Sequence, residues 1–348
     1  WMSVSACITS VSGPVLTEDE RAFLRDAQPW GVILMGRSCV SKAQVRALTA
    51  DIKTALGREA LIFIDQEGGR VARLKAPEWP KFPAAGVYGA MYETAPDAAT
   101  EACYLGHLLM GAELSALGIH ADCAPCGDLR QSDTHDAIGD RSFGYSVDAI
   151  TTLTEAALKG LSDSGVVGVI KHMPGQGRST MDTHYDLPAV TADVSTLLED
   201  ISVFKALSDQ VPMGMTCHVI FDAFDPHLPT TVSPTVISET IRKRIGFEGL
   251  LMTDDLGMEA LGGSLTDRGA KALAAGCDVL LHCSGFLKDP AEILTEMRDV
   301  AAVAGSLEGI ALDRAEAAEA AVKPAQTLAT DQSWARFEEL MSNMEARA

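Results

Sequence analysis

The stretch Val166-Val167-Gly168-Val169-Ile170-Lys171 runs straight into His172-Met173-Pro174-Gly175-Gln176-Gly177. A short, nearly continuous apolar run bounded by polar residues and glycine is the pattern of a strand buried on both faces. Just upstream, Val147–Ser164 repeats its apolar residues at helical spacing. Moving outward in both directions, the same pairing recurs. Further strands are predicted at Val4–Val11, Val32–Met35, Leu61–Asp65, Gly118–Ala124, Pro212–Cys217, Gly249–Thr253 and Cys277–His282. Helical stretches lie between them at Thr17–Ala27, Ser41–Leu56, Ala98–Leu117, Val194–Ser208, Pro234–Ile245 and Thr266–Ala275. Buried parallel strands alternating with amphipathic helices predict an α/β fold. Eight such units match a closed (β/α)8 barrel. A doubly wound open sheet is the alternative, but the first strand is not followed by the glycine-rich dinucleotide loop that fold usually carries. A single catalytic domain over residues 1–348 is expected, with the Ala/Glu-rich tail at about 312–348 helical and packed outside the barrel. Thr17-Glu18-Asp19-Glu20 reads as a capping box, and Asp193 and Ser233-Pro234 read as further helix starts.

The 348 residues are 47% hydrophobic, 22% charged and 5% aromatic, as in a folded globular protein. Twenty-eight Lys and Arg against 48 Asp and Glu give a formal charge of −20. That balance argues against a general nucleic-acid or anionic-membrane surface, because long-range forces would repel phosphates. Apolar stretches such as Cys277–Leu281 fall far short of the ~20 residues a membrane-crossing helix needs, so no membrane anchor is expected. The start lacks the basic segment of a signal peptide. Most of the eight cysteines sit in apolar, strand-like runs as small hydrophobes, which suits a reducing cytoplasm.

Polar residues gather where the strands end. The third strand leads into Asp65-Gln66-Glu67-Gly68-Gly69-Arg70 and the fifth into Lys171-His172. The sixth closes on Cys217-His218, the seventh on Asp254-Asp255 and the eighth on His282-Cys283. One such end could be a helix cap or a buried ion pair. Five on the C-terminal rim of a barrel point to an enzyme site. Two long loops join that rim, Pro125–Gly144 and the segment after the fifth strand that holds Asp182-Thr183-His184. In Asp-Thr-His a carboxylate can orient an imidazole and raise its basicity for acid/base work, although the same spacing occurs in ordinary turns and metal sites.

Four motifs, in this order, resemble the family 3 glycoside hydrolases, in particular the single-domain bacterial β-N-acetylglucosaminidases of the NagZ type. They are Ile64-Asp65-Gln66-Glu67-Gly68-Gly69-Arg70-Val71, Lys171-His172-Met173-Pro174-Gly175-Gln176-Gly177, Asp182-Thr183-His184 and Thr253-Asp254-Asp255-Leu256. The resemblance covers roughly residues 5–300. It implies a retaining mechanism with Asp254 as nucleophile and His184, oriented by Asp182, as acid/base on a mobile loop. It implies sugar binding by Asp65, Arg73, Arg141, Lys171 and His172, with no metal and no cofactor. The implied partner is a small glycan, a muropeptide carrying 1,6-anhydro-N-acetylmuramic acid, in cell-wall recycling; the sequence leaves the oligomeric state open, with a monomer favoured.

Neighbouring residues on a strand face opposite ways, so Asp255 is a rival to Asp254; its expected role is capping or hydrogen bonding at the next turn. Arg70 and Arg73 also read as rim salt bridges, and His218 as a buried supporting histidine. The chain departs from the family in having Met173 and Gln176 where Phe and His are usual. Gln176 keeps a donor and an acceptor but loses the titrating group. A metal-dependent amidohydrolase would need a His-x-His pair on the first strand, and Val4–Val11 has no histidine. Cys123-Ala124-Pro125-Cys126 has no second cysteine pair to complete a zinc site. A non-catalytic sugar-binding protein on the same fold is the remaining alternative.

Overall fold

The computed structural model describes residues 3–184, 187–324 and 326–345; the first two residues and the last three of the expected tail lie outside this range. Eight parallel strands form one sheet: β1 (Ser5–Ser10), β2 (Pro29–Leu34), β3 (Leu61–Ile64), β4 (Ala121–Asp122), β5 (Val167–Met173), β6 (Met213–Thr216), β7 (Leu250–Met252) and β8 (Leu280–Leu281). Each pairs with its sequence neighbour from β1 to β7, and β8 pairs back onto β1, with Cys7 opposite Leu280. A parallel bridge between Met252 and Val279 joins the remaining ends and closes the ring. Eight strands in this order are the (β/α)8 barrel expected from the sequence.

The strands read as apolar runs because both their faces are covered. Val32, Ile33 and Leu34 on β2, and Ile62, Phe63 and Ile64 on β3, are all fully buried. Trp30 and Phe63 meet at 5.7 Å between ring centroids, and Phe204 and Phe247 are fully buried in the same core. The expected capping box at Thr17 is present, with the Glu20 carboxylate returning to the Thr17 backbone, and Asp193 caps Val194–Leu207. Ser233 Oγ accepts from the Val236 N–H at the start of Val236–Ile245.

Two helices, Ala85–Tyr92 and Pro290–Ala304, add to those expected from the sequence. The tail forms two helices, Gly309–Ala320 and Asp331–Glu345. The second lies against Pro96–Ser115, where Arg336 pairs with Glu101, and Phe337 packs beside Phe82. Among the described residues no helix is long and apolar enough to cross a membrane.

Candidate active site

The chain leaves β3 at Asp65 and folds back on itself: Gln66–Gly68 pairs antiparallel with Val71–Ala72. The Gln66 side chain ties this hairpin, accepting from the Arg73 and Leu74 N–H groups and donating to the Leu74 carbonyl. Gly68 sits at φ +93°, and a Cβ there would collide with the Pro83 carbonyl, so the motif glycine is demanded by the turn. The hairpin holds two carboxylates against three cations. Lys171 Nζ, arriving from β5, lies 2.6 Å from Glu67 Oε1 and 3.5 Å from Asp65 Oδ1. Arg141 grips Glu67 with two bonds of 2.9 and 2.8 Å, and Arg73 Nη2 lies 2.8 Å from Asp65 Oδ2.

Burial alone would favour the neutral form of each carboxyl, but the cations prevail. Glu67 is held well below the usual carboxylate range by Arg141 and Lys171, and Asp65 is lowered by Lys171 and Arg73. Lys171, buried, is raised in turn by Glu67 and Asp65. Glu67 thus bridges Lys171 and Arg141, a role its place in the motif does not reveal.

Beyond Lys171 the side chain of His172 points to a different partner. Asp128, fully buried in the Pro125–Gly144 loop, accepts from His172 Nδ1 at 2.7 Å and from the His172 and Gln176 N–H groups at 3.2 and 2.7 Å. The Cys126 thiol donates to it at 3.0 Å. Burial opposes ionisation of Asp128, yet His172 and these donors keep its pKa below normal. With Nδ1 engaged, His172 turns Nε2 toward Asp254, 4.0 Å from Oδ2. Cys126, Asp128 and His172 are the one trio among the described residues whose donor atoms lie close enough to share a cation, and here they bond to one another.

Asp254 follows β7 and accepts from the Asp255 N–H at 2.8 Å. The two neighbours diverge. Asp255 Oδ1 accepts from the Cys283 and Gly257 N–H groups, both at 3.0 Å, and lies 3.2 Å from His282 Nδ1. Burial works against it, but His282 and the two amides hold Asp255 at about 2. His218, fully buried, donates from Nε2 to the Asp255 carbonyl and meets Thr231 Oγ1 through Nδ1.

The Asp182–His184 pair is an Asx turn. Asp182 Oδ1 accepts from the His184 N–H at 2.9 Å and from its Nδ1 at 2.7 Å, so two-residue spacing brings both donors to one oxygen. Partial burial disfavours the Asp182 charge, but the His184 backbone and ring outweigh it and lower the pKa. Gln176 Nε2 reaches Thr183 Oγ1 at 3.4 Å, linking the β5 loop to this turn. The His184 ring meets the Phe286 ring edge-on, with centroids 6.0 Å apart.

One cavity of about 350 Å³ opens at the C-terminal end of the barrel, with Asp128, His218 and His282 lying behind its lining. Its lining includes Asp254, Asp182 and His184, and also Asp65, Arg73, Arg141, Lys171 and His172. The whole constellation expected from the sequence thus converges on one site.

A family model described as glycosyl hydrolase family 3 N-terminal domain matches residues 6–322. The chain belongs to glycosyl hydrolase family 3. It is 37% identical over 287 residues to a β-hexosaminidase of Alkalilimnicola ehrlichii, covering 81% of this chain and 82% of that one. Its structure resembles that of NagZ from Neisseria gonorrhoeae in complex with N-trifluoroacetyl-D-glucosamine, at 28% identity and a TM-score of 0.81, over 98% of each chain. It also resembles a family 3 β-N-acetylglucosaminidase from Paenibacillus, at 28% identity and a TM-score of 0.84; there the match covers 96% of this chain but 66% of the other.

In this family 3 hydrolase the sequence alone does not single out Glu67, Asp128 or Phe286. Glu67 stands inside the Ile64–Val71 motif, which marks its position but not its partners. Asp128 lies 44 positions from His172 with no motif of its own, and its role comes only from tertiary contact.

Proposed function

We propose that the protein is a retaining, exo-acting β-N-acetylglucosaminidase that removes the non-reducing terminal GlcNAc from muropeptides carrying 1,6-anhydro-N-acetylmuramic acid. The observation that carries this reading is the convergence of Asp254 with the Asp182–His184 pair on one cavity of a family 3 chain. In the first step Asp254 attacks the anomeric carbon as the bond to the leaving oxygen breaks. His184 gives that oxygen a proton from Nε2, since Nδ1 is engaged by Asp182. In the second step His184 takes a proton from water, whose oxygen attacks the same carbon and frees Asp254.

Sugar hydroxyls are met by Asp65, Lys171 and His172 Nε2, with Arg73 and Arg141 holding the two carboxylates of the hairpin. Analogues lacking those hydroxyls would leave buried polar groups unpaired and are rejected on that ground. A cavity of about 350 Å³ suits one monosaccharide unit, in keeping with exo action. The similarity to NagZ over nearly the full length of both chains supports the muropeptide assignment. Eight free cysteines, seven of them buried, fit a reducing compartment and therefore a cytoplasmic substrate.

The test is release of p-nitrophenol from its β-GlcNAc and β-glucose glycosides by wild type and Asp254→Asn, with and without chelator and with added phosphate. Turnover of the GlcNAc substrate, unaffected by chelator and abolished in the variant, is expected. Turnover by Asp254→Asn at the wild-type rate would overturn the nucleophile. Faster turnover with phosphate would replace water as the acceptor.

A further inference from the structure

Phe286 is 62% exposed, and among the described residues it is the one well-exposed large hydrophobic side chain that lines the catalytic cavity. It projects from an anchored turn after β8. Ser284, at the base of that turn, sits in the left-handed region at φ +47°, which an L-residue adopts only when its surroundings impose it. Those surroundings are visible. The Ser284 hydroxyl bonds Glu296, its carbonyl accepts from Arg37 Nη1 at 2.8 Å, and the Leu287 N–H returns to the same carbonyl at 3.3 Å. The phenyl ring is thus presented to the cavity mouth from a fixed base.

Its position relative to the acid/base defines what it can touch. The polar wall of the cavity, Asp65, Glu67 and Lys171, is suited to the hydroxyls of the sugar being transferred. His184 marks the opposite end of the reaction, because the proton donor must reach the leaving oxygen. Phe286 stands beside that imidazole, edge-on at 6.0 Å, so a group attached to the leaving oxygen passes next to the phenyl ring. Most of the ring surface remains uncovered by His184, as its exposure shows.

We propose that Phe286 is a specificity-determining platform for the leaving group, favouring aglycones that present a ring with an apolar face. The proposal rests on the reading of Asp254 and His184 given above. Phe286 contributes to binding the departing half of the substrate and takes no part in proton transfer. The rival role is purely positional, with the phenyl ring holding the His184 imidazole in place.

Two GlcNAc β-glycosides separate these roles. The 2,4-dinitrophenyl glycoside has a ring in its leaving group and needs no acid assistance; the methyl glycoside has no ring and depends on the acid. The readout is the ratio of kcat/KM for the first to that for the second, in wild type, Phe286→Ala and Phe286→Tyr. A platform predicts that the ratio falls roughly threefold to tenfold in Phe286→Ala, the size of one aromatic contact, and is restored in Phe286→Tyr. A ratio that rises assigns Phe286 to positioning His184 and overturns the proposal, and so does an unchanged ratio. Failure of the underlying reading looks different: the wild type itself turns over neither glycoside, and the platform falls with it.

Discussion

Asp128 takes four donors at once: the His172 ring, two backbone N–H groups and the Cys126 thiol. Such a carboxylate does more than fill space. It fixes which nitrogen of His172 carries a proton toward it and aims the other at Asp254. Removing it in Asp128→Ala leaves buried donors without a partner and is expected to cost about 3–5 kcal/mol of stability, read as a lowered denaturant midpoint. Asp128→Asn keeps the volume and is expected to fold, but it has no charge and one acceptor oxygen instead of two, so its NH2 group faces donors that the carboxylate satisfied. Its kcat/KM for a GlcNAc glycoside should fall by on the order of 10²-fold, with an altered pH profile. A wild-type rate and profile would show that Asp128 serves the fold alone. Residues of this kind mark the limit of what is legible in the sequence. Asp65, Lys171, His172 and Asp254 can be read because each lies at or just beyond the C-terminal end of a strand, so a barrel topology alone sends them to one rim. Glu67 and Asp128 act through partners that only the folded chain brings close.

At the scale of elements, strand order and barrel closure are legible because each wall segment is buried on both faces and therefore apolar. The helix Ala85–Tyr92 is not, since its short run of Ala and Gly has little helical periodicity; its Gly89 packs directly against the Phe143 carbonyl. Pro290–Ala304 does carry legible signals, an Asp289 cap with proline in the first turn and buried Ile293, Met297 and Val300 at helical spacing. The hairpin after β3 is hidden because its pairing is made by three residues and two, too few for a pattern. The loop after β5 supplies a prediction. Gly177 lies so close to the Leu129 carbonyl that a Cβ would overlap it, and the Thr134 hydroxyl bonds the Gly177 carbonyl from the same side. Gly177→Ala must push the β5 loop away from the Pro125–Gly144 loop, at a cost of about 1–3 kcal/mol. Because Gln176 joins that loop to both Asp128 and Thr183, activity should fall along with the melting temperature. An active variant that melts like wild type would show that the two loops are not coupled.

Charged groups as well as strand pairing span the β7–β8 seam that closes the barrel. His282 places Nε2 2.8 Å from Glu296 on the outer helix and Nδ1 3.2 Å from Asp255, the neighbour of Asp254. Burial would push this imidazole toward neutrality, but the two carboxylates prevail and raise it to about 9. The sign of the consequence follows. A histidine whose folded pKa lies above its unfolded value of ~6.5 stabilises fully below ~6.5, and that contribution is lost as the pH rises through about 9. Asp255, held at about 2, works the other way: its contribution is present above ~3.9 and is lost as the pH falls toward 2. The melting temperature should therefore hold a plateau between roughly pH 4 and 6.5 and decline on the alkaline side as His282 releases its proton. His282→Gln keeps a side chain that can hydrogen-bond but removes the titration. It should melt lower than wild type throughout the plateau, because Asp255 and Glu296 lose the cation between them. Its alkaline decline between about pH 6.5 and 9 should also be shallower. Equal alkaline slopes in the two proteins would show that the seam is held by strand pairing and burial without the imidazolium.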